Sequence, residues 1–313
     1  MSAKDYNAVT LNAGDSCLEL VPEFGGLINA LRFSSQGKTY EIVAGLPNRA
    51  AMVENDYYRG VALYPSLNRL DAGSYEINGK RYQFDVNETE RNNNLHGFLY
   101  TLPAVAENLE QHAESGSVSL RYPVDGGYVG YPFAADVSMH YKLQSNALSL
   151  EFEVVNRHSE PVPVGLGWHP YFCIGDTTVS DMLLQLPAVD VTEIDDRLLP
   201  TGEMRRFDEY DAAAVIEKRQ FDHCFRLLDV SSERRVATRL WSPVDNVGLE
   251  IWQEAGERGY NFIQLCIPPD RQSIAIEPMT CGINAFNTGD GLIMLEPEQT
   301  LRTHCGVRLI ENL

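Results

Sequence analysis

Two runs of alternating apolar and polar residues, ADVSMHYKL and ALSLEFEVVN, flank Gln144-Ser145-Asn146. A period of two fits strands with one buried face, and helical contacts need a longer spacing. A short polar break between two such runs predicts a hairpin. The same strand patterning recurs in CLELVPEFGGLINALRF, SVSLRYPV, HCFRLLDV, GLEIWQEA, NFIQLCIPP and SIAIEP, with turn clusters such as INGK, ESGS, SPVDN and NTGDG between them. No long segment carries apolar residues at helical spacing. DEYDAAAVIEK reads as a short surface helix or a turn. The pattern therefore predicts an all-β chain, one large antiparallel β-sandwich with few short helices. No repeat, linker or composition shift divides residues 1–313, so a single domain is expected.

Charge narrows the partners. Forty-four acidic against 25 basic residues give a formal charge of −19, a field that repels nucleic acid and anionic membranes. The opening MSAKDYNAVTLNAG lacks the apolar core of a secretory signal, and no stretch has the length of a membrane helix. Cys17, Cys173, Cys224, Cys266, Cys281 and Cys305 are scattered without a CxxC pair. They are expected to be buried free thiols in a reducing cytoplasm. Cys173 has no evident base or cation to lower its pKa, so it reads as core packing.

Five stretches place polar residues beside strand ends. In YPSLNRL, Arg69 after Asn68 reads as a surface ion-pair partner or as a guanidinium fork for adjacent hydroxyls. In NNNLHGF, the Asn and Gly around His96 mark a loop, leaving an exposed turn histidine or a ligand-facing one. In GLGWHPYF, Pro170 holds His169 in extended backbone. Its aromatic neighbours suit a half-buried sheet, and the ring is either a satisfied core group or a ligand contact. Asp222 in QFDHCF either caps a turn or accepts hydrogen bonds from hydroxyls. Glu277 in SIAIEP ends an apolar run before Pro278, where partial desolvation would raise its pKa. No phosphate loop, serine elbow or metal cluster competes with these.

Taken in order, NR, NNLHG, WHPYF, FDH and IEP…NAFNTG resemble the aldose 1-epimerase (galactose mutarotase) family, over most of the chain. YPSL before Asn68 and PMTCGINAFN after Glu277 depart from the pattern of the family's best-known members, so the resemblance implies a divergent bacterial-type branch. The resemblance implies a β-supersandwich that interconverts the α and β anomers of a free aldohexose, such as glucose or galactose. It implies neither metal nor organic cofactor. By position, Glu277 resembles the general base, His169 the general acid, and His96 the second histidine on the ring-oxygen side. Asn68, Arg69, Asp222 and Gln264 resemble sugar-binding positions. Two alternatives stand beside this reading. One is a hexose-6-phosphate 1-epimerase, with Arg59, Arg69, Lys80 and Arg81 near one another in sequence. The other is a non-catalytic carbohydrate-binding module of the same fold. A monomer or homodimer is expected in either case.

Overall fold

In the computed structural model, which describes residues 4–230 and 234–311, Ala134–Gln144 pairs antiparallel with Ala147–Asn156 across a turn at Ser145-Asn146. Val137, Met139 and Tyr141 point inward with Leu148, Leu150 and Phe152, while Ser138, His140, Glu151 and Glu153 point outward. The hairpin sits inside a nine-stranded antiparallel sheet. Val105–Gln111 and Ser115–Asp125 lie on one side of it, and Thr300–Ile310, Val247–Ala255, Arg234–Ser242, Leu183–Gln185 and Ala214–Val215 on the other.

A second, eight-stranded sheet runs Pro200–Phe207, Val189–Ile194, Asp222–Leu227, Phe262–Cys266, Ile274–Met279, Gly167–His169 and Val61–Leu63, with Tyr171–Phe172 also paired to Ile274–Met279. Its inward residues, including Trp168, Leu265 and Ile276, join Leu120, Met139 and Phe152 of the first sheet in one buried cluster. A four-stranded sheet from Val9–Ala13 to Lys38–Glu41 contributes Leu18, Leu31 and Phe33 to that cluster. The arrangement is the all-β sandwich that the alternation predicts. Slipping the register of Ile274–Met279 by one residue would send Ile274 and Ile276 to the outer face and Glu277 into the core. Each buried aliphatic chain so lost is worth about 1.5–3 kcal/mol, which holds the register.

Three local expectations change. DEYDAAAVIEK forms turns and the two-residue strand Ala214–Val215, because that edge strand pairs with Leu183 and Leu184 and buries Ile216. Ser115 to Ser117 of ESGS are already strand, and the turn lies just before them. The strand bearing Glu277 runs through Pro278 to Met279, so Glu277 is within the strand and not at its exit. All six cysteines are free, but Cys17 and Cys266 are half-buried, short of the burial expected for all six; burial pushes the Cys173 thiol up to about 12. Among the described residues no helix is long and apolar enough to cross a membrane.

Candidate active site

The outer face of the eight-stranded sheet carries the polar residues. Gln264 lies opposite Glu277 in the pairing of their strands. On the other side of Glu277, the pairs Gly167–Met279 and Tyr171–Ala275 bracket a register that sets His169 directly opposite it. No pair is formed between those two brackets, where Pro170 and Pro278 lack N–H donors. His169 is tied on its far side instead, donating no ring proton there but offering its carbonyl to the Gly60 N–H at 2.8 Å. Gln264, Glu277 and His169 therefore stand side by side on three neighbouring strands. Two residues along, Asp222, Cys266 and Tyr171 form a second row on the same face.

The opposite wall comes from paired loops. Arg69 is registered with Leu95, and the His96 N–H donates to the Asn68 carbonyl at 3.0 Å. Asn68 and His96 both hold positive φ, at 53° and 66°, the region that Asn and His tolerate better than most residues. Gly97 follows at φ 62°, and a Cβ there would meet the Tyr64 carbonyl oxygen at 2.6 Å. That close approach requires glycine and turns His96 inward. A third wall is the loop after the helix Arg49–Glu54, whose Asn48 side chain caps it at Ala51 N. This loop lays Tyr58 against His96, ring centroids 4.6 Å apart.

Together these segments line a cleft of about 680 Å³ that contains all seven residues singled out in the sequence: Asn68, Arg69, His96, His169, Asp222, Gln264 and Glu277. A chain of side-chain bonds crosses it. Asn68 Nδ2 donates to Gln264 Oε1 at 3.1 Å, and Gln264 Nε2 donates to Asp222 Oδ1 at 2.8 Å. His169 Nε2 is 3.3 Å from Glu277 Oε1, and the rings of His96 and His169 meet edge to face at 5.1 Å. His96 is buried, not an exposed turn histidine.

Glu277 is 1% exposed and His169 5% exposed. Burial pushes the Glu277 carboxyl well above its ordinary range, and the negative Asp222 pushes the same way. Burial holds the His169 imidazole down to about 3 and His96 well below its usual range. Burial thus opposes charge on both members of the pair. Glu277 Oε2, His169 Nδ1 and His96 Nδ1 are all buried without a hydrogen-bond partner among the described residues. Nearly all buried polar groups are paired, so three orphans in one cleft mark a place where a polar ligand completes the bonding.

Several cleft residues lay outside the sequence reading. Glu88 accepts from Arg69 Nε through both oxygens at 3.1 Å, from Asn93 Nδ2 at 2.9 Å and from Arg91 at 3.2 Å. Burial would raise its carboxyl, but the Arg69 and Asn93 hydrogen bonds outweigh it and hold Glu88 low. Glu88 lies in DVNETERNNN, an acidic loop with no local signal that it grips an arginine. Tyr171 stacks on His169 at 5.3 Å and lines the cleft, whereas Trp168 and Phe172 pack together in the core.

The chain matches the model of the family described as Aldose 1-epimerase over residues 7–308, and it belongs to that family. It is 31% identical to "Uncharacterized protein YihR" of Escherichia coli K12 over 76% of this chain and 74% of that one. It is 24% identical to the human galactose mutarotase over 73% and 69% of the two chains. A galactose mutarotase-like protein from Clostridium acetobutylicum has the same fold, with a TM-score of 0.86 at 20% identity over 98% of this chain and 96% of that one. These relations support a sugar epimerase, an isomerase by reaction class.

Proposed function

We propose that the protein interconverts the α and β anomers of free, unphosphorylated aldohexoses such as glucose or galactose. The observation that carries this is the His169–Glu277 contact at 3.3 Å beside unpaired buried polar atoms. Glu277 as carboxylate takes the proton from the anomeric hydroxyl, while His169 as imidazolium gives one to the ring oxygen. The C1–O5 bond breaks, the open aldehyde rotates about C1–C2, and reclosure reverses both proton transfers. The two transfers leave the pair's proton count unchanged, one proton gained by Glu277 and one given up by His169. A sugar hydroxyl donating to Glu277 favours the ionised carboxyl, which makes binding itself the trigger. His96 sits on the ring-oxygen side. Asn68, Arg69, Asp222 and Gln264 orient the remaining hydroxyls.

The neutral ligand is favoured over a hexose 6-phosphate by the cleft's charges. Asp56, Glu88, Glu90, Asp222 and Glu277 line it against Arg69 and Arg91, and Glu88 engages both guanidiniums. Of the other basic residues near Arg69 in sequence, Lys80 and Arg81 are engaged elsewhere, whereas Arg59 stands beside the cleft. Lys80 faces Glu160, Arg81 bonds Ser74 Oγ, and Arg59 stacks over Tyr171 and bonds Ser273 Oγ. A purely binding module would have no need for an imidazole set against a buried carboxyl. The proposal treats the whole chain as one domain, supported by the buried cluster shared between the two large sheets.

Polarimetry or NMR of freshly dissolved α-glucose and α-galactose tests the reading. Exchange faster than buffer is expected, and no acceleration on any free sugar overturns it. Acceleration confined to glucose 6-phosphate would favour the phosphate-specific reading. Glu88→Gln gives a finer test. Loss of a charged hydrogen bond is worth about 1.5–3 kcal/mol, so with Arg69 left loose KM should rise roughly ten- to a hundredfold, with kcat little changed. An unchanged KM would show that Glu88 positions nothing.

A further inference from the structure

On the far side of the main core from the cleft, the nine-stranded sheet presents a row of polar residues on its outward face. The registered pairs are Ser119–His140, His140–Glu151 and Glu151–His304. One step beyond the Gln253–Cys305 pair, His304 meets Glu254. Directly paired residues on antiparallel strands project to the same face, so five strands deliver one continuous line of side chains. Ser119 Oγ is 2.8 Å from His140 Nδ1. His140 Nε2 lies 4.0 Å from Glu151 Oε1, and Glu151 Oε2 lies 2.7 Å from His304 Nε2. His304 Nδ1 is 3.0 Å from Glu254 Oε2.

We infer that His140, Glu151 and Glu153 form a binding site for a divalent transition ion of the zinc class, outside the sugar cleft and separate from its chemistry. Their donor atoms all lie within 4.8 Å of one another. Glu153 stands two residues from Glu151 and so shares its face. Zinc takes imidazole nitrogen at about 2.0–2.1 Å and carboxylate oxygen at about 2.0–2.2 Å, so the three donors must draw together. Rotamer changes in these half-exposed side chains suffice for that. The two histidines differ in what they offer. Both nitrogens of His304 face carboxylates, so it acts through Glu151. His140 has a hydroxyl at Nδ1 and the Glu151 carboxylate 4.0 Å from Nε2. With Ser119 accepting the Nδ1 proton, the Nε2 lone pair is left on the side of Glu151, the usual way an outer partner sets a metal-binding tautomer. One imidazole with two carboxylates suits zinc-class ions, whereas calcium takes six to eight oxygens and magnesium an octahedron of them. Arg302 now pairs with Glu153, and the incoming cation takes over that neutralising role. A bound ion would tie Ala134–Gln144 to Ala147–Asn156 at the middle of the sheet.

Calorimetric titration of the full chain with zinc chloride, its thiols kept reduced, tests the site. One zinc per chain is expected. His140→Ala and Glu153→Gln should each weaken binding at least about tenfold, and Ser119→Ala, which touches no metal, by roughly tenfold. His112→Ala, at an exposed loop histidine, should bind as the wild type does. Glu153→Gln keeps the side-chain shape, so a folding defect in His140→Ala would not stand in for a lost ligand. No saturable binding in the wild type, or unchanged affinity in both ligand variants, overturns the proposal. Anomer exchange is not read in this experiment, so its outcome is independent of the proposed reaction.

Discussion

Glu277→Gln is expected to slow anomer exchange by about 10²–10⁴-fold while leaving the fold intact. The amide has the volume and the hydrogen-bonding reach of the carboxyl, so the Gln264–Asp222 link and the His169 contact survive. What it removes is the only group facing both His169 and the cleft that can take a proton from a hydroxyl and return it. Stability should move the other way. Burial raises the carboxyl of Glu277, so its contribution is fully present below its ordinary value of 4.5 and is lost as pH rises through the folded value. At neutral pH the glutamine variant escapes that loss, and its Tm should equal or exceed the wild type's. Exchange at the wild-type rate would remove Glu277 from the mechanism.

His169→Asn is expected to cost a similar factor, about 10²–10⁴, because no other buried imidazole lies against Glu277. His96 touches His169, but no ion-pair contact links it to Glu277 among the described residues. This variant also has a pH signature that a merely structural histidine would share only in part. His169 is held down to about 3 in the fold against 6.5 ordinarily. Its contribution is therefore present above 6.5 and lost as pH falls through 3. Melting curves from pH 7 to 3 should fall less steeply for His169→Asn than for the wild type. The rate should be low at every pH. A variant that keeps its rate but flattens the melting profile would make His169 a core group and not the acid.

The way the cleft is built shows why only parts of it were legible. The hairpin around Ser145-Asn146 was legible because burial of one face imposes a period of two on consecutive residues. His169 in extended backbone was legible because Pro170 restricts its neighbour. The protonation state of His169 was not, because it depends on burial by residues from several loops. Glu88 was invisible for the same reason. Its grip on Arg69 comes from a turn that local sequence does not mark. The resemblance of five short motifs to one family pointed to six of the seven cleft residues, with Gln264 in NFIQLC as a separate match, but their distances and roles are not in those motifs.

By itself the sequence determined an all-β chain, the inward faces of its longer strands and the extended backbone at His169, since each follows from neighbours in the chain. Only the tertiary structure decided that Asn68 and Gln264, 196 residues apart, share a hydrogen bond, and that His169 stands opposite Glu277. Strand pairing joins segments of any separation, and the register that chooses partners is set by burial of the opposite face. Trp168, Leu265 and Ile276 in the core thus fix which polar residues meet across the cleft.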